Sequence, residues 1–127
     1  MRVQALIVAG LLGLAFGAPA EAQVARGAVL RGLDKITGQA RDFTGPIDKV
    51  VKFGTLEVTV RACEKAPPEE PPEVKAYLEV ADRPVPRRKG EEVTPRDLFA
   101  GWMFASSPAI NAVEHPSYDV WVIDCRI

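Results

Sequence analysis

Histidine is nearly missing from this 127-residue chain, with only His115 present, and the sole cysteines are Cys63 and Cys125. Structural zinc takes four nitrogen or sulfur ligands as a rule, so this inventory falls short and no metal site is expected. An excess of charge of one sign is missing too. Sixteen Lys and Arg stand against 17 Asp and Glu, a formal net charge of −1. Such a balance gives no electrostatic reason to expect nucleic acid or an anionic membrane as partner. No sustained helical period and no internal repeat is present, and no cofactor is implied.

Long apolar runs are scarce as well, and the longest, Ala5 to Ala18, lies near the start behind Arg2. A bilayer needs about 20 apolar residues, so the run is too short to span one comfortably. Small residues follow at Ala20 and Ala22, the positions a signal peptidase reads. The expectation is a signal peptide at residues 1–22 cut before Gln23, with Ala18-Pro19-Ala20 as a second possible site. Residues 23–127 then form a single exported domain, periplasmic or secreted, with no transmembrane segment after cleavage. No cysteine lies near the cleavage point, which argues against a lipid-anchored N-terminus.

An oxidising compartment favours pairing of the two thiols. A Cys63–Cys125 bond would close a loop of about 60 residues, worth about 4 kcal/mol in the chain-entropy model. That is a large share of the roughly 5–15 kcal/mol that holds an ordinary domain together. The competing reading, two cysteine metal ligands, has only His115 to complete it.

What the chain does have is alternation. Leu56, Val58, Val60 and Ala62 alternate with Thr55, Glu57, Thr59 and Arg61, and Val74, Ala76, Leu78 and Val80 alternate with Lys75, Tyr77 and Glu79. A period of two puts each apolar set on one face of a half-buried strand. Val29 to Ile36 and Gln39 to Phe43 flank Thr37-Gly38, and Ile47 to Phe53 meets the next strand at Gly54. Both junctions predict tight hairpins and antiparallel neighbours. Leu98 to Ala105 and Tyr118 to Ile123 are largely apolar on both parities, the pattern of central strands.

These segments predict an all-β fold, a small antiparallel sandwich or barrel of about seven strands. Ser107-Pro108 matches an N-cap followed by proline, which predicts one short helix over Ala109–Glu114 before the last strand. Under strict alternation Cys63 falls on the polar side of its strand, whereas Cys125 shares a face with Trp121 and Ile123. Either the disulfide sits at a sheet margin or a bulge near Ala62 flips the register, and the margin is the favoured reading. The acidic, proline-rich loop 66–73 and the loop 83–92, with its basic run Arg87-Arg88-Lys89, lie on either side of the 74–82 strand. They are expected nearly 30 Å apart, at opposite ends of the domain.

Chemistry-bearing residues crowd between Gly101 and Asp124. Trp102, Ser106, Ser107, His115, Tyr118, Asp119 and Trp121 are the candidate binding residues. A hydrolytic reading would take Ser106 or Ser107 as nucleophile, His115 as base and Asp119 or Asp124 as its orienter. No nucleophile-elbow glycines flank the serines, and the plainer reading makes His115 a turn residue bonded to nearby backbone. Asp119 and Asp124, five apart on one strand, are expected on opposite faces, which forbids a paired-carboxylate site between them. Aromatic residues of this kind usually fill a sheet core, yet a groove bordered by some of them is the best binding-site expectation. No residue is assigned a catalytic role, and the balance is against an enzyme.

The segments Gly101 to Ala109, Glu114-His115-Pro116, Tyr118 to Trp121 and Asp124-Cys125 resemble the C-terminal signature of a bacterial envelope family, domain of unknown function 2155. Leu33-Asp34-Lys35, Arg61-Ala62-Cys63 and the loop 67–73 resemble it as well. The resemblance runs from about Leu30 to Cys125 and implies an exported, periplasmic bacterial protein, with no activity, substrate or cofactor attached. The reading is a binding or structural module of the cell envelope whose partner is an envelope protein or a glycan. The alternatives are a small envelope hydrolase using the 106–124 stretch and an accessory factor docking on a membrane complex through Arg87, Arg88 and Lys89.

Overall fold

Asp34 turns the first hairpin. Its Oδ1 accepts the N–H groups of Ile36 and Thr37, and Gly38 supplies a φ of +74°, so β1 (Gly27–Asp34) folds back antiparallel on β2 (Ala40–Pro46). A second hairpin joins β3 (Val50–Phe53) to β4 (Leu56–Lys65) through Gly54-Thr55, with Phe53 opposite Leu56. Then follow β5 (Val74–Asp82), β6 (Arg96–Phe104) and β7 (Tyr118–Arg126). The computed structural model describes residues 24–127 together with Gly10, residues 13–15 and Gly17. The expected leader therefore lies almost wholly outside the described residues. Among them no helix is long and apolar enough to cross a membrane.

The seven strands form two antiparallel sheets, β2-β1-β7 and β3-β4-β5-β6. Their inner faces meet over Leu30, Leu56, Val58, Val60, Leu78, Val80, Met103 and Val122, all essentially without solvent contact. This is the sandwich that the alternation predicted, and the alternating sets of β4 and β5 supply much of its core. Chain direction puts Gly54, Asp82, Arg96 and Tyr118 at one end, here the hairpin end. Lys65, Val74, Phe104 and Arg126 stand at the other. The proline loop and the basic loop leave β5 at opposite ends, as its length requires.

Three expectations need correction. Cys63 is not left on the polar side at a sheet margin, because the register of β4 shifts between Val60 and Ala62. The extra residue, Arg61, flips the parity, so Ala62 turns outward and Cys63 turns in at 6% exposure. A second shift, which takes in Ile123 on β7, brings Cys125 onto the inner face with Val120 and Val122, away from Trp121. The two cysteines are bonded and tie one sheet to the other.

Second, β6 and β7 are not central strands; each is the last strand of its sheet. Third, the short helix after Ser107 is absent, and a single turn, with the Ile110 N–H on the Ser107 carbonyl, stands in its place. β6 ends and β7 begins at opposite ends of the sandwich, so the connection must travel back over about 27 Å. As a helix rising about 1.5 Å per residue, a segment of this length would cover about two thirds of that distance. The crossover therefore stays extended along the open side between β6 and β7, with Val113 buried at 2% exposure.

Candidate binding site

The residues singled out from the sequence separate into four neighbourhoods. Trp102 lies on the outer face of the four-stranded sheet. Tyr77, opposite it in register, sets its ring edge against the indole at 5.5 Å, and the Lys75 ammonium sits 5.1 Å from the indole centroid. The outward row of β6 continues through Ala100 to a groove of about 550 Å³ whose lining includes Val50, Thr59, Ala81 and Leu98. Phe104 extends the row the other way, beside Glu64 and Lys75. Tyr77 was missed as a site residue, although its place between Lys75 and Glu79 already marks it as outward-facing.

Charges ring this apolar strip and neutralise one another. Arg61 pairs with Asp48 and Glu79, Arg83 with Glu57, and Lys75 with Glu64. Hydrogen bonds that Arg61 donates to Asp48 and Glu79, then the charge of Glu79, hold its guanidinium above the ordinary range. On the edge of β6, the Ala105 N–H points to β5, on the Val74 carbonyl. Antiparallel alternation then aims the backbone groups of Phe104, Trp102 and Ala100 away from the sheet. The crossover caps two of those carbonyls: the Ser107 N–H donates to Phe104, and Asn111 Nδ2 donates to Trp102 at 2.6 Å. The free edge is thus partly blocked while the outer face stays open.

Ser106 belongs to a second place, the end that carries the proline loop. Its Oγ donates to Glu73, and that bond, with the N–H groups of Ser106 and Val74, holds the Glu73 carboxyl below the usual carboxylate range. Ser107 contributes backbone bonds to the turn.

His115 and Tyr118 meet at the hairpin end. The imidazole accepts the Ser117 N–H at Nδ1, so the ring proton sits on Nε2, which faces Asp82 Oδ2 at 3.2 Å. Asp82, the inward-pointing last residue of β5, also accepts the Thr55 hydroxyl at 2.6 Å. These side chains are nearly buried, 8% exposed for His115 and 11% for Asp82. Both ring nitrogens are therefore engaged, and no hydrogen bond joins Ser106 or Ser107 to the imidazole.

Asp119 and Trp121 occupy the outer face of the three-stranded sheet. The shift in β7 places Asp119, Trp121 and Asp124 on one face, opposite Leu33, Arg31 and Val29. The expectation that Asp119 and Asp124 point to opposite faces is corrected by that shift. Each carboxylate is paired, Asp119 with Lys35 and Asp124 with Lys65. At the tip of the basic loop Glu91 accepts the N–H groups of Arg87 and Arg88. Among the described residues no cluster of three or more His, Cys, Asp or Glu forms a metal site.

A family described as an uncharacterised protein conserved in bacteria, domain of unknown function 2155, matches residues 28–125. The chain belongs to this family. Its match takes in all four neighbourhoods. Uncharacterized protein RP359 of Rickettsia prowazekii (strain Madrid E) is 29% identical over 93 residues, covering 73% of this chain. The aligned part is 56% of the rickettsial protein, a little over half its length. No solved structure matches the chain.

Proposed function

We propose that this protein is an exported binding module of the bacterial cell envelope, and that the outer face of its four-stranded sheet docks a protein partner. One observation carries the reading: β6, an edge strand, presents an outward row of Ala100, Trp102 and Phe104 that the core does not use. An apolar centre inside a polar rim is the anatomy of a protein interface. The rim is already neutralised by Arg61, Arg83, Lys75 and their acids, and Lys52 and Asp97 add one charge of each sign. That arrangement recommends neither an anionic lipid surface nor nucleic acid.

A glycan is less well served by the same face. Lys75 already lies over the indole and Tyr77 abuts it, so the flat platform a sugar would stack on is occupied. A second copy is also a poor occupant. The face measures about 30 Å by 15 Å, roughly half of the ~800 Å² per partner that a standard stable interface buries. The partner is a different protein, and it reaches past this face onto the rim.

A photo-crosslinking residue at Ala100, compared in intact cells with one at Trp121, tests this. A discrete adduct to another envelope protein from position 100 and none from position 121 is the expected result. Equal labelling from both positions, or adducts to lipid alone, would remove the docking face from consideration. Serine and histidine variants address the hydrolytic alternative. Folded Ser106→Ala, Ser107→Ala and His115→Ala proteins should keep the position-100 adduct and the cellular role, and loss of the role in all three would favour an enzyme.

A further inference from the structure

We infer that the cleft at the hairpin end, between β2 and the Gly54 turn, binds the carboxyl terminus of a peptide. This goes beyond the docking face and stands independently of it. The cleft holds about 230 Å³ and is bordered by Asp34, Gln39, Arg41, Phe53, Gly54 and Tyr118. Three of these carry the argument, because each offers a hydrogen-bonding group that the fold leaves uncommitted.

Arg41 is the first. It stands opposite Gly32 in the sheet and lays its guanidinium over the Phe53 ring, 5.2 Å from the centroid. A guanidinium placed over an aromatic ring without an acid partner still has N–H groups to offer, and its fork can take a carboxylate in two parallel bonds. Arg31, Arg61 and Arg83 each have an acid partner. Among the described residues Arg41 has none.

Tyr118 is the second. His115 stacks on its ring at 5.2 Å and Phe53 meets it edge-on at 5.7 Å. Gly54 completes the seat, since a Cβ there would stand 2.3 Å from the phenol carbon Cζ. Behind it, Asp82 and the Ser117 N–H fix the histidine. The phenol is thus held from three sides, and its hydroxyl forms no hydrogen bond among the described residues. A donor fixed in this way costs little ordering when a ligand arrives.

Asp34 is the third, and it narrows the ligand. One oxygen serves the turn through Ile36 and Thr37, which leaves Oδ2 as an acceptor on the rim. Two donors and one anionic acceptor around an aromatic wall suit neither a bare phosphate, which brings no N–H for Asp34, nor a lone cation, which brings no acceptor for Arg41 and Tyr118. A terminal carboxylate followed by its own amide N–H satisfies all three groups. A protein C-terminus and a cell-wall stem peptide ending in D-alanine share this chemistry.

The test is a two-dimensional amide and arginine-side-chain NMR titration of the isolated protein with N-acetyl-L-Ala-L-Ala and N-acetyl-D-Ala-D-Ala, each also as its C-terminal amide. Saturable shifts at Gly54, Tyr118 and Arg41 Nε are expected with at least one acid, with affinity at least tenfold weaker for the matching amide. The enantiomer that binds identifies the source, a protein terminus for L or a wall peptide for D. Arg41→Gln should weaken binding at least tenfold. Tyr118→Phe, which keeps the ring and its packing, should weaken it several-fold, while Arg31→Gln should change nothing. Equal binding of acid and amide, no saturable shift with either acid, or undiminished binding by a folded Arg41→Gln protein would each overturn the proposal.

Discussion

β6 and β7 are alike in sequence pattern and in position, yet their outward rows differ. Both read as apolar on either parity, and both end as the edge of a sheet. Along β7 the outward indole of Trp121 stands between two carboxylates, each tied to a lysine. That spacing keeps a half-buried tryptophan from becoming part of a larger patch. Along β6 the indole of Trp102 is followed and preceded by Phe104 and Ala100, with Tyr77 beside it. The difference teaches where the surplus apolar surface lies. The β7 row is broken up by paired charges, and the β6 row is continuous and apolar.

The largest change would come from removing what holds the two faces in one molecule. The Cys63–Cys125 bond joins β4 of one sheet to β7 of the other. Replacing both cysteines by serine should cost about 4 kcal/mol, lowering the melting midpoint by roughly 20 °C. Partner capture should then fall with the folded fraction. A calorimetric midpoint unchanged under oxidising conditions would show that the inter-sheet bond carries no stability.

Next in size is Val113, which the crossover buries beside β6 and β7. Val113→Ala should cost about 2 kcal/mol by removing two fully buried methyl groups, measured by urea unfolding. Ile110→Ala, on the exposed part of the same segment, should cost less than about 0.5 kcal/mol. If the two were equal, the extended crossover would not be the element that seals this side.

The comparison of the two faces is sharpened most directly by paired substitutions. Trp102→Ala and Leu98→Asp should cut the position-100 crosslink at least tenfold, a loss of about 1.4 kcal/mol of binding. Trp121→Ala should leave it unchanged. Because Trp102 is only half-buried, its removal should leave a folded protein, and circular dichroism would check that.

Much of this fold was legible because alternation is a local signal. Val74, Ala76, Leu78 and Val80 needed only a period of two to be placed in the core, and Gly38 and Gly54 marked their turns. The cysteine pair was legible from its count of two, together with the expectation of export. What escaped were features set by distant parts of the chain. The parity of Cys63 did raise a bulge near Ala62 as one of two readings, but the shift at Ile123 had no local sign, and both shifts turn the cysteines inward. Edge position escaped for the same reason: an apolar strand paired on both sides and one paired on a single side have the same composition. The cap signature at Ser107-Pro108 was real as a local preference and was overruled by the distance the crossover must span. Among the candidate residues, Trp102 and Tyr118 were named, but Arg41 and Phe53 were not. Their significance arises only where β2 and β3 approach each other from different sheets.

The smallest effect expected lies at the proline-loop end, where Ser106 donates to Glu73. That hydroxyl, then the N–H groups of Ser106 and Val74, depress the Glu73 carboxyl below its ordinary range. A depressed carboxylate adds stability above its unfolded titration point, and the contribution disappears as pH falls through the folded one. Ser106→Ala should therefore raise the Glu73 titration toward the ordinary value, observable by carboxyl NMR. It should flatten the acid limb of the stability profile only slightly, because the group is solvent-exposed. The position-100 crosslink should not respond, since Glu73 and Ser106 lie beyond Phe104 at the margin of the docking face. A strong loss of capture in this variant would extend the face past Phe104 onto the proline loop and shift its centre away from Trp102.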